Sequence, residues 1–287
     1  MRVALVSLLV TGSLASAAPL PGLPGLKAAA DQLVPTPVAV DVSGMPAPER
    51  KALARLVQAA RILDPLFVRQ SWAGSEAWMV KLARDTTPLA QARLRLFLLN
   101  QGPWDRLAHD APFLPGVPEK PAAGNFYPAG ASKEDVSRWL SSLSPEERAR
   151  ATGFFTTIRR APNGGFTIVP YSLEYQGELA RAAALLRAAA AATGQPGLRS
   201  FLEARAAALL SDDYAASDVA WMQLDTTIDP TFGPYETYED GWFNQKAAFE
   251  AYITVVDDRE TEKLKRFSSQ LQALENALPM EDRYKNP

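Results

Sequence analysis

The chain has 287 residues, of which 47% are hydrophobic and 22% charged, a balance that excludes a disordered tail. Its 30 Lys and Arg against 32 Asp and Glu leave a formal net charge of -2 and no basic stripe, which sets aside a nucleic-acid binder. Cysteine is absent, so disulfides, thiol catalysis and a lipid carried on an N-terminal Cys are excluded; a chain of this length buries enough core without crosslinks.

Arg2, the apolar run from Val3 to Leu14 and the small-x-small Ala15-Ser16-Ala17 read as a signal peptide over residues 1–17. The run is too short to span a bilayer, and Pro19 and Pro21 follow it. No later stretch reaches the roughly 20 apolar residues of a membrane span. Export without disulfides points to a bacterial periplasmic or secreted protein. Residues 18–45, rich in Pro, Gly, Ala and Val, read as a linker with at most one short ordered piece. From Pro46 the pattern turns helical, with Leu53, Leu56, Ala60 and Leu63 at helical spacing. Further helices are predicted over 75–84 and 88–99.

Between Asn100 and Ala131 six prolines forbid regular structure, yet Trp104, Phe113, Phe126 and Tyr127 are too apolar for a loose linker. An ordered loop pinned by its aromatics is expected. Ser132 and Ser144 read as helix N-caps. Phe154–Arg160 and Phe166–Tyr171 flank Pro162-Asn163-Gly164-Gly165, which predicts a hairpin. A helix through Leu179, Ala183, Leu186 and Ala190 stops at Gly194 and Pro196, and a second covers about 198–211. Alternation from Phe249 to Val255 predicts a strand. Asp257 or Asp258 then caps a long last helix whose stripe Leu264, Phe267, Leu271, Leu274 and Leu278 faces a core or a partner surface. The fold class is α+β, predominantly α-helical with a minor antiparallel β component: a lobe over 46–246, then a strand and long helix over 247–287.

The chemistry these residues permit is narrow. A catalytic zinc normally takes three protein ligands, and His109 is the one histidine. No His-Glu-x-x-His helix, Gly-x-Ser-x-Gly turn or phosphate-binding glycine loop occurs. His109, between Asp105 and Asp110, reads as a surface or loop-stabilising residue. The unusual segment is 212–240, where Asp212, Asp213, Asp218, Asp225, Asp229, Glu236, Glu239 and Asp240 are interleaved with Tyr214, Trp221, Phe232, Tyr235 and Tyr238. Carboxylates among aromatics can hold a cation through charge-assisted bonds and ring faces; the plainer reading is a solvated acidic loop with its aromatics packed inward.

Several strings occur in one order: Asn100-Gln-Gly-Pro-Trp-Asp-Arg106, Phe113-Leu-Pro-Gly116, Asn125-Phe-Tyr-Pro128 after Lys120-Pro121, Val169-Pro-Tyr-Ser-Leu-Glu-Tyr175, Asp213 to Trp221, Gly233-Pro-Tyr-Glu-Thr-Tyr-Glu-Asp240 and Lys246-Ala-Ala-Phe-Glu250. Together they resemble the bacterial branch of the dipeptidyl peptidase III family of zinc metallopeptidases, from about residue 60 onward. The resemblance implies part of a two-lobed architecture with a wide cleft, and removal of dipeptides from the free amino end of short peptides. In the family the zinc helix and a further Glu ligand belong to the carboxy-terminal half; the sequence stops at Pro287 before any such motif, so no catalytic or metal-binding residue carries over. The family pattern of Gly, two residues, Glu, one residue, Tyr resembles Gly233, Glu236 and Tyr238. An acid four residues before that Gly grips the substrate amino group in the family, and Asp229 holds the matching position. Thr231 stands where the family has Tyr.

The resemblance therefore implies the amino-terminal, substrate-binding half of an exported zinc-dependent hydrolase, inactive alone, with Asp229, Glu236 and Tyr238 as substrate-binding residues. Its expected partners are a short peptide or amine-bearing small molecule and the missing carboxy-terminal zinc lobe, with zinc as the cofactor of the full-length family and none held by this chain alone. The alternative is a complete, non-catalytic peptide- or amine-binding module derived from such an enzyme.

Overall fold

A computed structural model describes residues 19–286; the predicted signal peptide lies outside the described residues. In chain order the helices are α1 (Leu23–Asp31), α2 (Ala47–Ser71), α3 (Ser75–Arg84), α4 (Pro88–Asn100), α5 (Lys133–Ser142), α6 (Pro145–Ala151), α7 (Tyr171–Glu174), α8 (Gln176–Ala192), α9 (Pro196–Ser211), α10 (Ala215–Met222), α11 (Asp258–Ser268) and α12 (Leu271–Asn276). Antiparallel pairs join β1 (Trp104–Asp105) to β2 (Ala111–Pro112), β3 (Thr156–Arg160) to β4 (Phe166–Pro170), and β5 (Ile228–Glu236) to β6 (Ala248–Val255). The fold is predominantly helical with small antiparallel sheets, as expected. No helix among the described residues is long and apolar enough to cross a membrane.

The chain divides into two compact units, 19–34 with 79–120, and 35–78 with 121–286. In the first, α1 packs on α4, and Leu26 and Ala30 of α1 and Leu96 and Phe97 of α4 are buried. Helix α1 is the short ordered piece of the Pro-rich stretch. Thr87 caps α4 by accepting from the Ala90 N–H at 3.3 Å. The Pro-rich loop that follows is ordered through its aromatics: Trp104 and Phe113 are buried, and the Trp104 indole donates to the Pro118 carbonyl at 2.8 Å.

The second unit is built on α2, α8 and α9. Leu56, Ala59, Leu63 and Leu66 form the buried stripe of α2 against Leu179, Ala182, Ala183, Leu186 and Ala190 of α8. The alanines let the two helix backbones approach, and each buried leucine contributes about 1.5–3 kcal/mol. Glu49, buried at the start of α2, accepts from Thr193 Oγ1 at 2.6 Å and the Gly194 N–H at 2.8 Å, tying α2 to the α8–α9 turn. Ser132 and Ser144 each form a complete capping box, with Asp135 and Glu147 respectively.

The other end of α2 meets the β5–β6 hairpin. Gln70 is buried, and its carboxamide donates to the Ala247 carbonyl at 3.3 Å while accepting from the Phe249 N–H at 2.8 Å. The predicted long last helix is instead two, α11 and α12, separated at Ser269-Gln270. Asp257 caps α11. The stripe Leu264, Phe267, Leu271, Leu274 and Leu278 is exposed along its whole length, so a core is not what it faces among the described residues.

Candidate functional site

Segment 212–240 is not a solvated loop. It runs through α10 into β5, whose inward face carries Ile228, Pro230 and Phe232 into the core. The two-residue period of a strand then sends Asp229 and Thr231 to the other face, with Thr254 and Tyr252 opposite them on β6. A register shift between Pro234 and Glu236 breaks the alternation and leaves Tyr235 and Glu236 both exposed.

Asp229 is half-buried, and its Oδ1 accepts from the indole Nε1 of Trp221 on α10 at 3.0 Å. Glu236 sits at the far end of β5, opposite Ala248. The β6 partners of Asp229 and Glu236, Thr254 and Ala248, are six steps apart, which puts the two carboxylates roughly 20 Å apart at about 3.3 Å per residue. They therefore do not converge on one atom. Glu236 and Tyr238 instead share one end of the hairpin with Glu250, which sits opposite Gly233. Burial, then the charge of Glu236, push the Glu250 carboxyl above its usual range.

The exposed Tyr238 lies in the loop linking β5 to β6, and that loop is firmly held. Asp240 is buried; its carboxylate accepts from the Tyr127 hydroxyl at 2.8 Å and from the N–H groups of Trp242, Phe243 and Gln245 at 2.9–3.2 Å. Lys246 closes the loop from the other side. Fully buried, its ammonium donates to the Ala151 and Gly153 carbonyls and to Thr156 Oγ1 at 2.6–2.9 Å. Burial lowers its pKa to about 8, against the opposing pull of Asp240. All three donor positions are answered, so Lys246 anchors β6 and is not a nucleophile.

Among the described residues no group of three or more His, Asp and Glu is placed to hold a metal ion. His109 is exposed with φ 56°, at the end of a short 3-10 turn in the Pro-rich loop. The described residues thus offer no fit for zinc. Trp221 was read from the sequence as one of the interleaved aromatics, without its bond to Asp229; Glu250 was not singled out, although it closes one of the motif strings.

No family profile matches the chain. Among solved structures it is similar to dipeptidyl-peptidase III from Corallococcus sp. strain EGB, at 57% identity and a TM-score of 0.87 over 94% of this chain and 50% of that one. It is also similar to DPP III from Caldithrix abyssi, at 42% identity and a TM-score of 0.85 over 91% of this chain and 49% of that one. A curated relative, Nudix hydrolase 3 of Arabidopsis thaliana, is 33% identical over 288 residues, 83% of this chain and 37% of that protein. The chain spans about half the length of the solved structures it matches. The motif resemblance is borne out: the chain has the fold of about half of a dipeptidyl peptidase III, consistent with the amino-terminal half.

Proposed function

From that likeness we propose that this chain is the substrate-binding half of an exported, zinc-dependent hydrolase acting on the amino end of short peptides. The observation that carries the reading is the 57% identity over 94% of the chain to a dipeptidyl-peptidase III, combined with an acidic strand face of its own. Zinc and the hydrolytic base belong, on this reading, to a carboxy-terminal lobe that packs against this half. What the present residues supply is binding and register.

Asp229 holds the substrate ammonium. Trp221 fixes one carboxylate oxygen, which leaves Oδ2 for a charge-assisted bond to the amine. The peptide then runs along the outer face of the hairpin, and Glu236 and Tyr238 meet it further on, since roughly 20 Å of strand separates them from Asp229. An extended peptide of about six residues covers that distance at about 3.3 Å per residue.

The test is calorimetric titration with hexaalanine and with N-acetyl-hexaalanine. Asp229→Ala is expected to weaken the free-amine peptide by about tenfold or more and to leave the acetylated one unchanged. Equal binding of the two peptides by the native chain sinks the reading. Loss of the amine preference in Glu236→Gln but not in Asp229→Ala removes Asp229 from its role.

A further inference from the structure

Away from the outer hairpin face, the second unit holds a cation whose hydrogen bonding is incomplete. Arg205 of α9 is 1% exposed. Its Nη2 donates to Asp218 Oδ1 at 2.5 Å, while Nε and Nη1 make no well-aligned hydrogen bond, with the Tyr235 hydroxyl lying near the guanidinium. The neighbouring Tyr214 hydroxyl is also buried without one. The rings of Phe201, Tyr214 and Tyr235 surround the guanidinium carbon, their centroids 5.2–5.6 Å away. Beside them lies a cavity of about 440 Å³ whose walls include Arg205, Tyr214, Asp218, Tyr235, Phe154 and Phe155.

Unanswered polar groups in a protein interior cost stability, so a cluster of them at a cavity points to a group the chain does not itself contain. The cavity is of the size that takes a small organic ligand. The two guanidinium nitrogens can only donate and the Tyr214 hydroxyl can donate as well, so an acceptor suits all three. A guanidinium favours a carboxylate, whose planar pair of oxygens matches its donors. Asp218 is the internal occupant. Its side chain is 51% exposed, so leaving Arg205 returns its carboxylate to water at little cost.

We propose that this cavity binds a carboxylate-bearing ligand by exchange: the incoming carboxylate replaces Asp218 on Arg205, the Tyr214 hydroxyl donates to it, and the rings of Phe154, Phe155 and Tyr235 cover its apolar part. The inference does not rest on the amine site, and ligands with a blocked amine test it separately. Three probes are titrated calorimetrically into the full chain: N-acetyl-dialanine, its C-terminal amide, and N-acetyl-aspartyl amide, whose one carboxylate is on the side chain. At least one acid is expected to bind about tenfold or more tightly than the neutral amide. The acid that binds identifies a terminal or a side-chain carboxylate as the source. Asp218→Asn, which removes the competing charge and keeps the side-chain shape, is expected to tighten that acid severalfold. Equal binding of all three probes overturns the proposal, and so does an Asp218→Asn chain that binds the acid no better than the native one.

Discussion

The indole N–H of Trp221 donates to the carboxylate of Asp229 across 3.0 Å, so the last turn of α10 sets the orientation of an acid on β5. Trp221 is an exposed tryptophan whose polar atom has a defined task. Trp221→Phe keeps an aromatic ring and deletes the donor. The expected result is a two- to tenfold weaker affinity for a free-amine peptide, the effect of one lost hydrogen bond at about 0.5–1.5 kcal/mol. Titration with hexaalanine reads it.

Gly233 has φ +150°, and a Cβ there would lie 3.1 Å from Arg205 Nη1 and 3.3 Å from the Tyr235 ring. Both backbone strain and crowding oppose a side chain. Gly233→Ala is expected to cost about 1–3 kcal/mol, read as a lowered midpoint of urea unfolding.

Lys246 makes stability depend on pH. Its folded pKa of about 8 lies below the model-compound 10.5, so the folded state binds fewer protons and stability rises with pH. The contribution is complete above about 10.5 and is lost as pH falls through about 8. Between pH 7.5 and 9.5 the native chain is expected to gain on the order of 1–2 kcal/mol relative to Lys246→Met. Urea melts at the two pH values measure that difference in slope. The variant is less stable at both, because three acceptors lose their donor.

The exposed stripe on α11 and α12 gives a prediction of the opposite kind. Phe267 and Leu274 are 55% and 50% exposed. Replacing both with Gln is expected to change unfolding free energy by less than about 0.5 kcal/mol per site. Binding of a hydrophobic dye is expected to fall in the same protein, because the apolar patch that attracts it is interrupted.

Elements with strong periodicity were legible in the sequence. Helices α8 and α9, the Asn-Gly hairpin and the two serine caps follow from local residues alone, and so does β6, where apolar and polar residues alternate. Strand β5 was not legible. Pro230, Gly233 and Pro234 all lower strand propensity, and the segment is a strand because β6 pairs with it from beyond the Thr237–Ala247 loop. That omission bears on the site. Composition marked Asp229, Glu236 and Tyr238 as members of one acidic, aromatic stretch, but the distance between the two carboxylates exists only once the stretch is extended. The break at Ser269-Gln270 was hidden because the leucine stripe keeps helical spacing across it. Arg205 was hidden for a related reason: one of two arginines on a largely apolar helix says nothing until Asp218, Tyr214 and Tyr235 are folded around it.

Gln70 carries a consequence beyond its place in the core. A carboxamide has one donor side and one acceptor side, much like a single peptide unit, and this one bonds the Ala247 carbonyl and the Phe249 N–H as a neighbouring backbone would. The beginning of β6 is thereby occupied by a helix, and a strand from another molecule finds no vacant pairing there. Helix α2 thus closes the first pairing positions of that edge, and a leucine of the same bulk at position 70 would fill the space while leaving them open.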